Sequence, residues 1–143
     1  MFNTILLPID LSAPASWSKA LPAALDLARG EGCKVHVMTV VPDFGMSVVG
    51  GFFEENFEEK ALQKVGEDLS DWVNKNVPNT VEARPHVAHG RVYEQIIAAA
   101  DKLNADAIVM AAHTPELSDY LLGPNAARVV RHAKQSVFVV RGH

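Results

Sequence analysis

The chain has 143 residues, 48% of them hydrophobic, which is the core of one ordinary domain and leaves no room for a second. Thirteen Lys and Arg against seventeen Asp and Glu give a net charge of -4, so no basic surface is available to neutralise a phosphate backbone, and nucleic acid is not an expected partner. The single cysteine, Cys33, excludes an internal disulfide and a Cys-based zinc site, and points to a reducing, cytoplasmic compartment with Cys33 as a small buried hydrophobe.

Continuous apolar runs alternate with amphipathic ones along the chain, the pattern of repeated βα units with helices on both faces of a sheet. The opening MFNTILLPID has no basic leader region. Its apolar run is far shorter than the roughly 20 residues that span a bilayer, so Thr4 to Ile9 reads as the first strand and the chain is not expected to be membrane-embedded. Trp17, Ala20, Leu21, Ala24, Leu25 and Ala28 then fall at helical spacing. Pro22 inside that stripe cannot return a bond to the carbonyl of Ser18, which predicts a kink or a late start. Lys34 to Val41 is the second strand. Pro42 to Phe53 combines three glycines with three Phe, a Met and two Val, and reads either as a surface loop or as a lid or subunit contact.

A second helix is marked by Leu62, Val65, Leu69, Trp72 and Val73, from about Glu54 to Asn76. Val81 to Val87 is a weaker strand carrying Glu82, Arg84 and Pro85, and the proline assigns it to a sheet edge. Val92, Ile96, Ile97, Ala100 and Leu103 mark a third helix, opened by Gly90. Ala105 to Ala112 is a fully apolar fourth strand, a fourth helix begins near Asn125 after Gly123-Pro124, and Ser136 to Val140 closes the chain as a fifth strand.

These elements predict a single α/β domain over residues 1–143, a doubly wound five-stranded parallel sheet. Right-handed crossovers with the weak strand at an edge leave the orders 3-2-1-4-5 and 2-1-3-4-5, of which the first puts the apolar first and fourth strands at the centre. It also leaves Val137 to Val140 as a bare apolar edge, which a homodimer through that strand would cover. In this order ligands bind between the carboxyl ends of strands one and four. Two segments meet there, Pro8-Ile9-Asp10 and Ala111-Ala112-His113-Thr114. The second leads into Gly123-Pro124-Asn125, where a helix start suits an anionic group such as phosphate. Pro124 cannot donate, so Asn125 and Ala126 must supply the amides.

The segments ILLPID, VHVMTVVPD, the His-containing loop, LLGPNAARVVRHA and SVFVVR resemble the universal stress protein family over nearly the whole chain. They are closest to the small single-domain class whose loop reads S-H-R-P followed by YLLGSNAA, here Ala112-His113-Thr114-Pro115 and Tyr120 to Ala127. ATP-binding members share a motif of Gly, two residues, Gly, nine residues, Gly, then Ser or Thr. This chain has Ala111 and Thr114 at the first two glycines, an eight-residue spacer, Gly123, and Pro124 in place of the hydroxyl residue. The shortened-loop class carries similar departures and includes nucleotide binders, so the resemblance still implies ATP as ligand. It places Pro8, Ile9 and Asp10 at the nucleoside, with Asp10 near the ribose or a metal such as magnesium. Val40 would bond the adenine through its backbone, Met110 to Thr114 (Met110, Ala111, Ala112, His113, Thr114) would line the ribose and first phosphates, and Gly123 to Ala126 the remaining ones. Spacing adds Arg128, in the first turn of helix four, as a donor to a terminal phosphate. Some members of the class accompany a membrane transporter, which implies such a transporter as protein partner.

Plainer roles compete. Asp10 after a strand can simply cap the next helix through its carboxylate. His113 without a partnered acid has no catalytic role, and Gly123-Pro124 starts a helix in any fold. His36, His86, His89, His132 and His143 show no i, i+4 pairing and so no metal-ligand spacing. The leading function is a nucleotide-dependent switch in the stress response. A slow ATP hydrolase lacks evident metal ligands beyond Asp10. A phosphoacceptor receiver domain would need paired acids after strand one, where Asp10 stands alone. A ligand-free interaction module is the remaining alternative.

Overall fold

The computed structural model describes residues 2–42, 57–112 and 125–141. Five short runs rich in Val, Ile and Leu form the strands β1 (Thr4–Pro8), β2 (Lys34–Val41), β3 (Glu82–His89), β4 (Ala107–Ala111) and β5 (Ser136–Val140). They make one parallel sheet in the order β3-β2-β1-β4-β5, as the position of Pro85 requires. All five residues of β4, and Val35 to Val40 of β2, are buried, because strands covered on both faces have no solvent side on which to place polar residues. The register of β1 is pinned at its start by the carboxylate of Asp106, which accepts the Asn3 and Thr4 N–H groups at 2.8 and 2.9 Å.

The helices are α1 (Ala20–Leu27), α2 (Phe57–Asn76), α3 (Val92–Lys102) and α4 (Asn125–His132). α1 packs on β1 and β4 and α2 on β2 and β3, while α3 covers β2 and β3 and meets α4, which lies on β5. Right-handed crossovers to the left of β1 and then to its right put α1 and α2 on one face and α3 and α4 on the other. Trp17 and Trp72 join the first pair edge to face, with ring centroids 5.4 Å apart.

Several boundaries differ from those expected of the sequence. A 3-10 turn over Pro14–Ser16 precedes α1, so Trp17 lies ahead of the helix and Pro22 falls in its first turn. There its missing N–H removes no bond that the helix interior needs. β1 and β4 are shorter than expected, and β3 runs to His89. Cys33 is only partly buried, and its thiol reaches the Phe2 carbonyl at 3.3 Å. The segment 43–56, in which a lid and the start of the second helix were expected, lies outside the described residues. Among the described residues, no helix is long and apolar enough to cross a membrane.

Candidate functional site

The helices that follow β1 and β4 lie on opposite faces of the sheet, which makes the carboxyl ends of these two strands its switch point, where open α/β sheets form a ligand crevice. β1 ends at Pro8, opposite Met38 of β2, and Ile9 still donates to the Met38 carbonyl at 2.8 Å before the chain turns away. β2 continues to Val41 beside β3.

The consequence for Val40 comes from alternation. Lys34 donates to Asn3 and Met38 accepts from Ile9, so even residues of β2 face β1, while Val41 accepts from Gly90 on the β3 side. Val40 therefore aims its N–H and C=O toward the β1 side, two residues beyond the last rung of that ladder. An adjacent donor and acceptor on a rigid strand, with no β1 residue opposite, form an edge that a planar heterocycle can complete.

Asp10, 9% exposed, sits where β1 ends. Its N–H donates to Ser16 Oγ at 2.9 Å, and the Ser16 hydroxyl lies 3.1 Å from the Asp10 carbonyl. Its Oδ1 accepts the Ser12 N–H at 2.9 Å and the Ser12 hydroxyl at 2.6 Å. This is an Asx turn and not the helix cap expected of Asp10: Ala13 and Lys19 precede the 3-10 turn and α1, and neither start receives a side-chain cap bond. Ser12 and Ser16 were missed as its partners, although the Asp-x-Ser spacing is a readable turn signal.

Pro8, Ile9, Met110, Ala111 and Ala112 are buried at the ends of β1 and β4, so what they can offer a ligand is mainly backbone. The Ala112 N–H already donates to the Val140 carbonyl at 2.8 Å. Asn125 and Ala126 are buried at the start of α4. Arg128 is exposed and its guanidinium carbon lies 5.6 Å from the centroid of the Tyr93 ring, a cation–π contact that ties α4 to α3. Tyr93, on a different helix, carried no sequence signal for that contact. His113, Thr114, Gly123 and Pro124 lie outside the described residues.

Two histidines far apart in sequence also meet. Nδ1 of His36 and Nε2 of His86 are 2.7 Å apart across β2 and β3, one proton shared between them. Burial, the mutual contact and the nearby Arg84 and Lys34 push His36 below its usual range, against Glu82; burial, Arg84 and Lys102 do the same to His86. The i, i+4 criterion could not find this pair, since only strand register brings the two rings together.

The fold has counterparts among known proteins. Universal stress protein G of Escherichia coli O157:H7 is 32% identical over 143 residues, covering 99% of this chain and 100% of that protein. The solved structure of the hypothetical protein MJ0577 superposes with a TM-score of 0.73 at 21% identity, covering 100% of this chain and 98% of that one. A family protein from Arabidopsis thaliana, solved with AMP bound, gives 0.65 at 16% identity over 99% of this chain and 92% of its own. Likenesses at such identities establish the fold. The model of the Universal stress protein family matches residues 1–141, and with a relative above 30% identity along the whole length, the chain belongs to that family.

Proposed function

We propose that this chain binds an adenine nucleotide, ATP foremost, in the crevice between β1 and β4, and that occupancy switches its contacts with a protein partner. The observation that carries this reading is the backbone pair of Val40, directed to the β1 side beyond the end of that ladder. Its C=O is matched to the N6 amino group of adenine and its N–H to N1, so the base would extend the sheet where β1 stops. The AMP-bound family structure supports the choice of ligand class. Asp10 stands beside the place for the ribose, while Asn125, Ala126 and the segment with Gly123 and Pro124 receive phosphates at the start of α4. A magnesium ion, if it accompanies ATP, would draw on the Asp10 carboxylate.

A binder is favoured over a hydrolase because the carboxylate that phosphoryl transfer would draw on already has Oδ1 engaged by two Ser12 donors. A homodimer through β5 and a membrane transporter as the regulated partner complete the proposal. Calorimetric titration with ATP, ADP, AMP and GTP tests it. The three adenylates should bind at one site per chain. GTP should bind at least about tenfold more weakly, because guanine sets a carbonyl against the Val40 carbonyl and leaves both unpaired. No heat with any adenylate rejects the reading.

A further inference from the structure

The edge position of β3 leaves part of the α3-bearing face of the sheet uncovered, and a cavity of about 370 Å³ remains between α3 and β3. It lies across β2 from the β1–β4 crevice and is independent of the nucleotide reading. Met38, Ala88, Ala99 and Leu103 give it apolar walls. Because α3 runs back against the strands, its last-turn Lys102 comes level with His86 rather than with Ala88, and these two make one polar end of the cavity, with the amide of Gln95 toward the Gly90 end. Lys102 is exposed and has no ion pair among the described residues.

His86 is held from behind. If His36 Nδ1 carries the shared proton, His86 accepts at Nε2 and must then bear its own proton at Nδ1, a donor that no described residue uses. One full cation and one neutral N–H match a single negative charge, whereas a dianion would remain half-compensated. We propose that this cavity binds an organic monocarboxylate with a short apolar body, its carboxylate received by Lys102 and the imidazole of His86 and its body lying against Met38, Ala88, Ala99 and Leu103. The volume falls within the range of small-molecule sites.

Binding is linked to protons. Arg84 and Lys102 face His86, and Arg84, Lys34 and Glu82 face His36, so the cationic surroundings and burial oppose protonation of the empty pair. A bound carboxylate offsets that opposition, and affinity should rise as pH falls through the ordinary histidine range.

Methyl NMR titrations of the intact chain with hexanoate and with 1-hexanol, at pH 8 and pH 6, test the proposal. Hexanoate should shift the methyls of Ala88, Ala99 and Leu103 saturably and bind about tenfold more tightly than hexanol, the worth of one charge-assisted contact. Lys102→Gln, a change at an exposed side chain, should reduce hexanoate to the level of hexanol. His86→Gln should flatten the pH dependence. Equal binding of the two probes, shifts confined to other methyls, no shifts, or insensitivity to Lys102→Gln each overturns it.

Discussion

The Asp10 carboxylate holds the loop after β1 by accepting two bonds from Ser12, and the backbone of the same residue is held by Ser16. Replacing it by Ala removes both bonds, but Ser12 is exposed and its donors can turn to water, so the cost should be about 0.5–1 kcal/mol. Asp10→Asn keeps an oxygen for the Ser12 N–H and should lose less than half as much, which urea unfolding of the two variants would show. The His36–His86 pair makes a second prediction at this scale. Both groups are held below their ordinary value in the folded chain, so the unfolded chain takes up protons first as pH falls. Their contribution to stability is therefore intact above about pH 6.5, the unfolded value, and is lost progressively below it. Urea midpoints measured at pH 7.5 and pH 5.5 should fall more steeply in the wild type than in His36→Gln/His86→Gln. Equal slopes would show that the pair does not couple to folding.

At the scale of elements, connections carry as much information as strands. Gly90 joins β3 to α3 at a φ of 139°, a region that side chains avoid, and a Cβ placed there would meet Gln95 Nε2 at 3.0 Å. Gly90→Ala should cost about 1–3 kcal/mol, with the loss visible as reduced amide-exchange protection of the first turn of α3. Pro85 shows why the sheet order was legible. The Gly90 bond to Val41 sets the alternation of β3, by which Pro85 faces the open edge, where its missing N–H takes nothing from the ladder. The start of α1 was only partly legible: Pro22 announced a kink or a late start, and the late start is what the chain adopts, with Trp17 ahead of the helix. What could not be read were contacts made by register or by helix packing. The His36–His86 pair and the Arg128–Tyr93 stack join residues whose local sequence contains no trace of the partner. Of the candidate site, apolar strand ends followed by Asp10 marked the switch point, but whether a β1 residue stands opposite the backbone of Val40 depends on where β1 stops.

For the whole molecule, the open question of physical consequence is the β5 edge. Among the described residues β5 has no strand neighbour on the side away from β4, and the bond from Ala112 to Val140 sets the alternation so that Val137 and Val139 aim their N–H and C=O groups to that side. Val139 is 39% exposed and Val130 of the neighbouring α4 is 51% exposed, and these are the large hydrophobics left in water among the described residues. An apolar, unblocked edge is a template for pairing, and an antiparallel match of β5 with its copy would be isologous and closed, so it would end at a dimer rather than a fibre. A charge at the centre of that edge would face its own symmetry mate. Val139→Lys should therefore shift the chain from dimer to monomer in sedimentation equilibrium while leaving its circular dichroism unchanged, because an edge side chain of this exposure contributes little to the core. A wild-type chain that sediments as a monomer, or a lysine variant that remains dimeric, would remove β5 as the contact.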